Sequence, residues 1–149
     1  MARYVVTIPS PMSAEEVFDY MATFSNVTEW DPTAAEAHPI DGGEPGLGAR
    51  FHVLVKWMGR EIALEYETTS YERPKRVVLR AENSTTISED TVTVRPTSSG
   101  CEMTYDAELT FKGAIKLIDP LFGLAFKRLG DNAAAGLRRE LGKKRSPVA

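Results

Sequence analysis

Two prolines, Pro9 and Pro11, stop the first strand of this chain and hand it to a helix whose start is written in the residues. Residues 3–8 read as a strand, and neither proline can donate a hydrogen bond to a ladder. Ser13 and Glu16 have the spacing of a capping box, in which each satisfies an orphan amide of the other. Met12 and Val17 flank that cap at the positions of a hydrophobic staple. The helix is predicted to run to residue 22, with a second short helix over about 25–30. Pro32 then disfavours helix at Asp31 and turns the chain away. A β-rich domain that opens with one strand and two helices has few ways to fold. The order predicts a curved sheet wrapped around a long last helix, with a cavity between them.

The middle of the chain reads as strand after strand. Residues 34–40 form a possible second strand, followed by the glycine-rich turn 41–48. Phe51, Val53, Val55 and Trp57 alternate with His52, Leu54 and Lys56, and Ile62, Leu64 and Tyr66 alternate with Glu61, Glu65 and Glu67. Residues 58–60 turn between these two strands. A turn at 73–75 precedes a fifth strand over 77–83, and 85–95 is a sixth, more polar and less clearly phased. After the turn at 96–100, Cys101, Met103, Tyr105, Ala107, Leu109 and Phe111 alternate with polar residues in the cleanest period-two run of the chain. One wet face and one dry face is the habit of an antiparallel sheet.

At the end the period changes. Asp119 and Pro120 have the order of a helix N-cap followed by proline at the first helical position. Ile118, Phe122, Ala125, Leu129, Ala133, Gly136 and Leu137 then recur at helical spacing. A helix from 120 to 141 would be about 33 Å long at 1.5 Å per residue. A ten-residue strand spans a similar ~33 Å, so one helix can lie along the whole dry face.

These elements define a single expected domain over 1–142, with 143–149 as a short basic tail. A chain of 149 residues can bury roughly 70% of its unfolded surface, enough for a core with a hole in it. A net charge of -3 gives no general attraction to nucleic acid or to anionic membrane. No stretch approaches the ~20 apolar residues that span a bilayer, and no signal-peptide pattern precedes Ala2. The lone cysteine, Cys101, cannot form an internal disulfide and fits a reducing compartment. The cytoplasm is the expected location.

The order strand, two helices, six strands, long helix resembles the START-like helix-grip superfamily (SRPBCC), an α+β fold with a curved antiparallel sheet of about seven strands. Details resemble its bacterial polyketide cyclase/dehydrase and lipid-transport branch. Ile8-Pro9-Ser10-Pro11 with Glu15 to Tyr20 looks like that branch's opening strand and helix. Asn26 with Glu29-Trp30-Asp31-Pro32 looks like its second helix, and Gly46, Gly48 and Phe51 like the lead into its third strand. Tyr71, Pro74 and Arg76 look like its hairpin. The resemblance implies a hydrophobic cavity that holds a lipid, sterol, polyketide or similar ligand. The superfamily includes carriers, receptors and aromatase/cyclases, and no catalytic signature carries over residue by residue. Enzyme status therefore stays open.

The candidate ligand-contacting residues are the dry-face side chains. The third strand supplies Phe51, Val53 and Trp57, and the fourth Leu64 and Tyr66. The fifth supplies Leu79 and Asn83, the seventh Met103, Tyr105 and Leu109, and the last helix Phe122 and Phe126. Each could equally be packed core. Buried phenols need partners for their hydroxyls, so Tyr66 and Tyr105 reach either a protein group or a ligand oxygen. In the sixth strand, Thr86, Ser88 and Asp90 share a frame with Val92 and Val94. If that frame faces inward, Asp90 is a carboxylate with a raised pKa and, with Tyr105, a candidate acid or base. The expected frame is the other one, with Ile87, Thr91 and Thr93 inward and Asp90 in solvent.

Other chemistry is excluded or weak. The glycine loop 43–48 leads into a strand, not into the helix N-terminus of a phosphate cradle, and reads as a turn at the rim of the cavity. Ligand access is expected there, beside the first half of the last helix. Cys101 has no histidine in frame and is no candidate nucleophile. His38 and His52 lie on different strands and, with one cysteine, do not supply the three or four ligands of a zinc site. No metal or cofactor is expected. Gly123, Gly130 and Gly136 inside the last helix each cost about 1 kcal/mol against alanine, which implies close packing or a kink. Lys143, Lys144 and Arg145 complement the helix dipole.

Overall fold

A computed structural model describes residues 1–42, 44–57, 59–113 and 120–143, with the side chains of 120–122 left aside. Asp119, Lys144, Arg145 and the side chain of Phe122 therefore lie outside the described residues. Seven strands, β1 (Ala2–Ser10), β2 (Ala34–Pro39), β3 (Arg50–Trp57), β4 (Arg60–Glu72), β5 (Arg76–Glu82), β6 (Thr86–Thr97) and β7 (Gly100–Phe111), form one sheet. Every pairing is antiparallel. The spatial order is β1-β7-β6-β5-β4-β3-β2, so the first two strands of the chain are the two edges of the sheet.

The segment between those edges must cross the width of the sheet. It does so as α1 (Ala14–Ala22), a 3-10 turn (Phe24–Asn26) and α2 (Val27–Trp30). The capping box is present: Glu16 N donates to Ser13 Oγ at 3.2 Å and Ser13 N donates to Glu16 Oε1 at 3.3 Å. Met12 and Val17 are both buried beside it. Ser13→Ala should cost about 1 kcal/mol, read as a lower denaturant midpoint with an unchanged slope.

The last helix, α3 (Pro120–Leu141), divides into two halves. In the second half Ala133, Ala134, Leu137 and Leu141 are buried, and none of the described side chains over 123–132 is. Three contacts seat the second half. Ser10 Oγ donates to the Leu141 carbonyl at 2.6 Å. Arg139 donates to the Glu29 carbonyl at 2.9 Å. Gly136 lies directly against the Trp30 backbone. Gly130 lies under the Tyr4 ring, whose hydroxyl donates to Asp131 at 2.7 Å. Close packing thus accounts for the glycines at 130 and 136, while a side chain at Gly123 would meet open space.

The same division appears in the sheet. On β7, Cys101, Met103 and Tyr105 are buried, whereas Ala107, Leu109 and Phe111 in the same frame are only half-buried. On β3, Phe51 and Val53 are buried and Val55 and Trp57 are not. One end of the dry face is filled by α1, α2 and the second half of α3. Among the described residues, the other end is covered by the first half of α3 and, at its margin, by the segment from Phe24 to Thr33.

Two expectations need correction. Phe51, Leu79 and Met103 are fully buried in packed core rather than cavity wall. Phe51 packs against Phe24, with ring centroids 6.4 Å apart. Asn83 does not point inward. It sits one residue beyond β5, where its Oδ1 accepts from the amides of Thr85 and Thr86 at 2.9 Å and shapes the β5–β6 turn. The two histidines lie closer than their separate strands suggest: His38 and His52 are directly opposed across β2 and β3, and their rings stack at 4.9 Å.

Candidate functional site

The unfilled end of the dry face holds a cavity of about 150 Å³, partly open to solvent. Of the expected contact residues, Val53, Trp57, Leu64, Tyr66, Tyr105, Leu109 and Phe126 line it. Ile62, Ala107 and Leu129 extend the apolar wall. Residues 44–48 of the glycine loop do not take part. They lie at the Arg50 end of β3, where Gly48 N donates to the Thr68 carbonyl at 2.9 Å. The cavity runs toward Trp57 at the opposite end, so the expected rim is at the wrong end of the strand.

Asp90 is the decisive correction. It is 5% exposed, and with Thr86 and Ser88 it faces the cavity instead of solvent. Pairing fixes this phase. Asp90 is registered between Leu79 of β5 and Ala107 of β7, and both belong to the dry face. Burial pushes the carboxyl from 3.8 up to about 7, with a further push from the negative charges of Asp31, Asp106 and Glu89. The Tyr105 hydroxyl works against that rise by donating to Asp90 Oδ2 at 3.1 Å.

A second hydroxyl pair lies alongside. Tyr66 Oη and Ser88 Oγ are 2.7 Å apart. Tyr66 on β4 and Ser88 on β6 are both registered to Ala81 on the strand between them, and that small side chain lets the phenol pass over it. Both phenols thus find protein partners. Burial is the largest cause of the raised pKa of each, so both stay protonated at neutral pH.

Asp31 is the site residue that sequence reasoning missed, because its neighbour Pro32 made it look like a simple helix stop. It lines the cavity from the α2–β2 turn, and its Oδ1 accepts from the Thr33 amide and hydroxyl at 2.9 and 2.8 Å. Burial raises its pKa as well, against those hydrogen bonds. Trp30 is not part of the wall. It is core, and its ring meets Tyr105 edge-on with centroids 5.3 Å apart. Among the described residues, no cluster of three or more metal-ligating side chains occurs.

The sequence profile of the family described as polyketide cyclase/dehydrase and lipid transport matches residues 1–142. The chain belongs to that family. Its START-like fold is matched by solved structures at low identity. A START superfamily protein from Mycobacterium smegmatis is 12% identical, with a TM-score of 0.71 over 94% of this chain and 95% of that one. Ginseng major latex-like protein 151 from Panax ginseng is 10% identical, with a TM-score of 0.68 over 95% and 98%. A protein from Chromobacterium violaceum is 11% identical, with a TM-score of 0.67 over 97% and 100%. Similarity at this level carries the fold and not the ligand. No curated protein matches the chain in sequence. Among the described residues, no helix is long and apolar enough to cross a membrane.

Proposed function

We propose that this family member binds a small hydrophobic or amphipathic molecule in the cavity between the sheet and the first half of α3. The observation that carries this reading is an apolar chamber with a buried polar pole, Asp90 with Tyr105 and Ser88 with Tyr66. That combination, an apolar wall and a few convergent polar groups, is what ligand sites have in common. A cavity of about 150 Å³ is of the size that takes up a benzene-like ring. One ring or a short chain fits inside, and a longer ligand has to extend out beneath α3. Apolar burial at ~25 cal/mol per Å² supplies affinity.

Native mass spectrometry of the purified protein tests this directly, since a bound molecule appears as a mass increment released on activation. Ala107→Phe fills the chamber from β7 and should abolish that increment, while the far-ultraviolet circular dichroism stays that of the parent. Retention of the same ligand by Ala107→Phe would place it elsewhere.

One observation favours a second reading, acid–base catalysis on a polyketide-type substrate. A carboxyl that titrates near 7 inside a cavity can give or take a proton at working pH. A third reading, a non-enzymatic regulatory or interaction protein with a filled core, is less well supported beside a chamber of this size.

A further inference from the structure

The polar pole of the cavity has a one-sided chemistry. Asp31, Asp90 and Glu108 are the charged side chains that line it, and no lysine, arginine or histidine among the described residues does. The donors are largely spent. The Tyr105 hydroxyl is committed to Asp90 Oδ2, the Thr33 donors to Asp31 and the Thr86 hydroxyl to its pair with Thr85, and Tyr66 and Ser88 share one hydrogen bond that leaves one of their two protons free. Against that one proton stand the second carboxylate oxygen of Asp90, which has no hydrogen-bond partner among the described residues, and the spare lone pairs of the hydroxyls. Asp90 is more than nine-tenths buried. A buried ionised carboxylate with no cation beside it among the described residues is costly, and a cationic ligand would supply the partner it lacks there.

Aromatic rings crowd the same place. The rings of Tyr66 and Tyr105 carry the hydroxyls that reach Ser88 and Asp90, and Phe24 lies 4.8 Å from the Tyr66 ring. Aromatic faces attract cations as well as apolar groups. On the reading that this chamber is a ligand site, we infer that its ligand class is the amphipathic amine, an apolar body about one ring in size with a protonated nitrogen against Asp90. An anionic ligand such as a fatty acid would meet like charge at the same point.

Proton linkage follows from the surroundings of Asp90. The groups that act on it are Asp31 from the α2–β2 turn, Tyr66 from β4 and Tyr105 from β7, with Glu89 on its own strand and Asp106 on β7 acting from the opposite face of the sheet, where Arg3 pairs with Asp106 at 2.7 Å. The described side chains of α3 that line the chamber, Phe126, Leu129 and Ala133, carry no charge. Burial first, and then the negative charges of Asp31, Asp106 and Glu89, make Asp90 ionise late, and a cationic ligand binds most tightly once it has. Amine affinity therefore rises with pH through the neutral range, until the amine sheds its own proton near ~10.

Calorimetric titration of the intact protein with four compounds of one body tests the inference: ethylbenzene, phenethylamine, 2-phenylethanol and 3-phenylpropanoate. At pH 8 phenethylamine should bind about tenfold or more tightly than 3-phenylpropanoate. Between pH 8.5 and 5.5 its affinity should fall about tenfold or more, as expected for a site that titrates near neutrality, with the alcohol nearly unchanged. Asp90→Asn should bring the amine and the alcohol within about threefold of each other. Tyr105→Phe removes the bond that holds the Asp90 pKa down and should move the amine's pH midpoint upward, which gives a readout even if Asp90→Asn folds poorly. Equal affinity for amine and carboxylate at pH 8, or an amine affinity indifferent to pH or to Tyr105→Phe, overturns the inference and leaves the ligand site standing. Failure of all four compounds to bind, ethylbenzene included, overturns both.

Discussion

Gly136→Ala is expected to unseat the last helix and to lower stability by about 3 kcal/mol or more, at the upper end of overpacking costs. The added methyl carbon would lie 2.8 Å from the carbonyl carbon and 2.9 Å from the Cα of Trp30, and closer still to the carbonyl oxygen. All three atoms are backbone, so no rotamer change relieves the clash. The helix has to move away from α2, and with it go the Arg139 bond to Glu29 and the burial of Leu137. In an unconstrained helix the same substitution would be favourable by about 1 kcal/mol, so the loss appears against a gain in propensity. For a chain of this length the melting midpoint should fall by roughly 6–12 °C. Gly130→Ala is the internal control. Its methyl group would press on the Tyr4 ring at Cγ, Cδ2 and Cε2, but these are side-chain atoms, and the ring can turn away at the expense of its hydrogen bond to Asp131. Its cost should be about 1 kcal/mol. Thermal melts in which Gly136→Ala loses no more than Gly130→Ala would contradict this account of how α3 is held.

The scaffold was readable because its signals are local. Pro11, the Ser13–Glu16 box and Pro32 each act within a few residues, and all three mark boundaries present in the structure, whereas Pro9, expected to stop the strand at residue 8, lies inside the edge strand β1 opposite Glu102. The alternation in β7 and the helical period after Pro120 likewise needed no knowledge of partners. The site was less readable because it depends on what lies opposite. Polar residues occupy both faces of β6, so amphipathicity alone gives it no phase. The register to Leu79 and Ala107 decides that Asp90 points inward. A signal was present in Val92 and Val94, which share its frame and are buried. Alternation is also the same along the whole of β3 and β7, and it cannot say at which end the helix fails to fill the sheet. That is why Phe51 and Met103, expected to touch ligand, are core, while Trp57 and Leu109, from the same two runs, line the chamber.

The second large effect concerns the cost of keeping Asp90 where it is. Asp90→Asn should make the protein more stable at pH 8 by at least about 2 kcal/mol, and should do little at pH 4. The folded state binds the Asp90 proton up to about pH 7, whereas the unfolded chain releases it near 3.8. Between these values the folded form holds a proton that the unfolded form has lost, so stability falls as pH rises through this window. It is greatest below the unfolded value and lowest above the folded one. The interval corresponds to roughly 4 kcal/mol, reduced by whatever water the chamber admits to the carboxylate. Asparagine cannot ionise and escapes the loss, while its carbonyl oxygen can still accept from Tyr105. Other groups titrate in the opposite sense: Glu82, Asp131 and Glu140 have lowered pKa values and lose stability in acid. Those terms are common to both proteins and cancel in the difference, so the difference between variant and parent is the quantity to measure. It should open from near zero at pH 4 to a gap in melting midpoint of roughly 4–8 °C at pH 8. A parent that is the more stable of the two at pH 8 would mean that Asp90 already has a cationic partner within the chain. A gain for the variant would show that the fold sustains a charge it would be more stable without, as binding and catalytic sites commonly do.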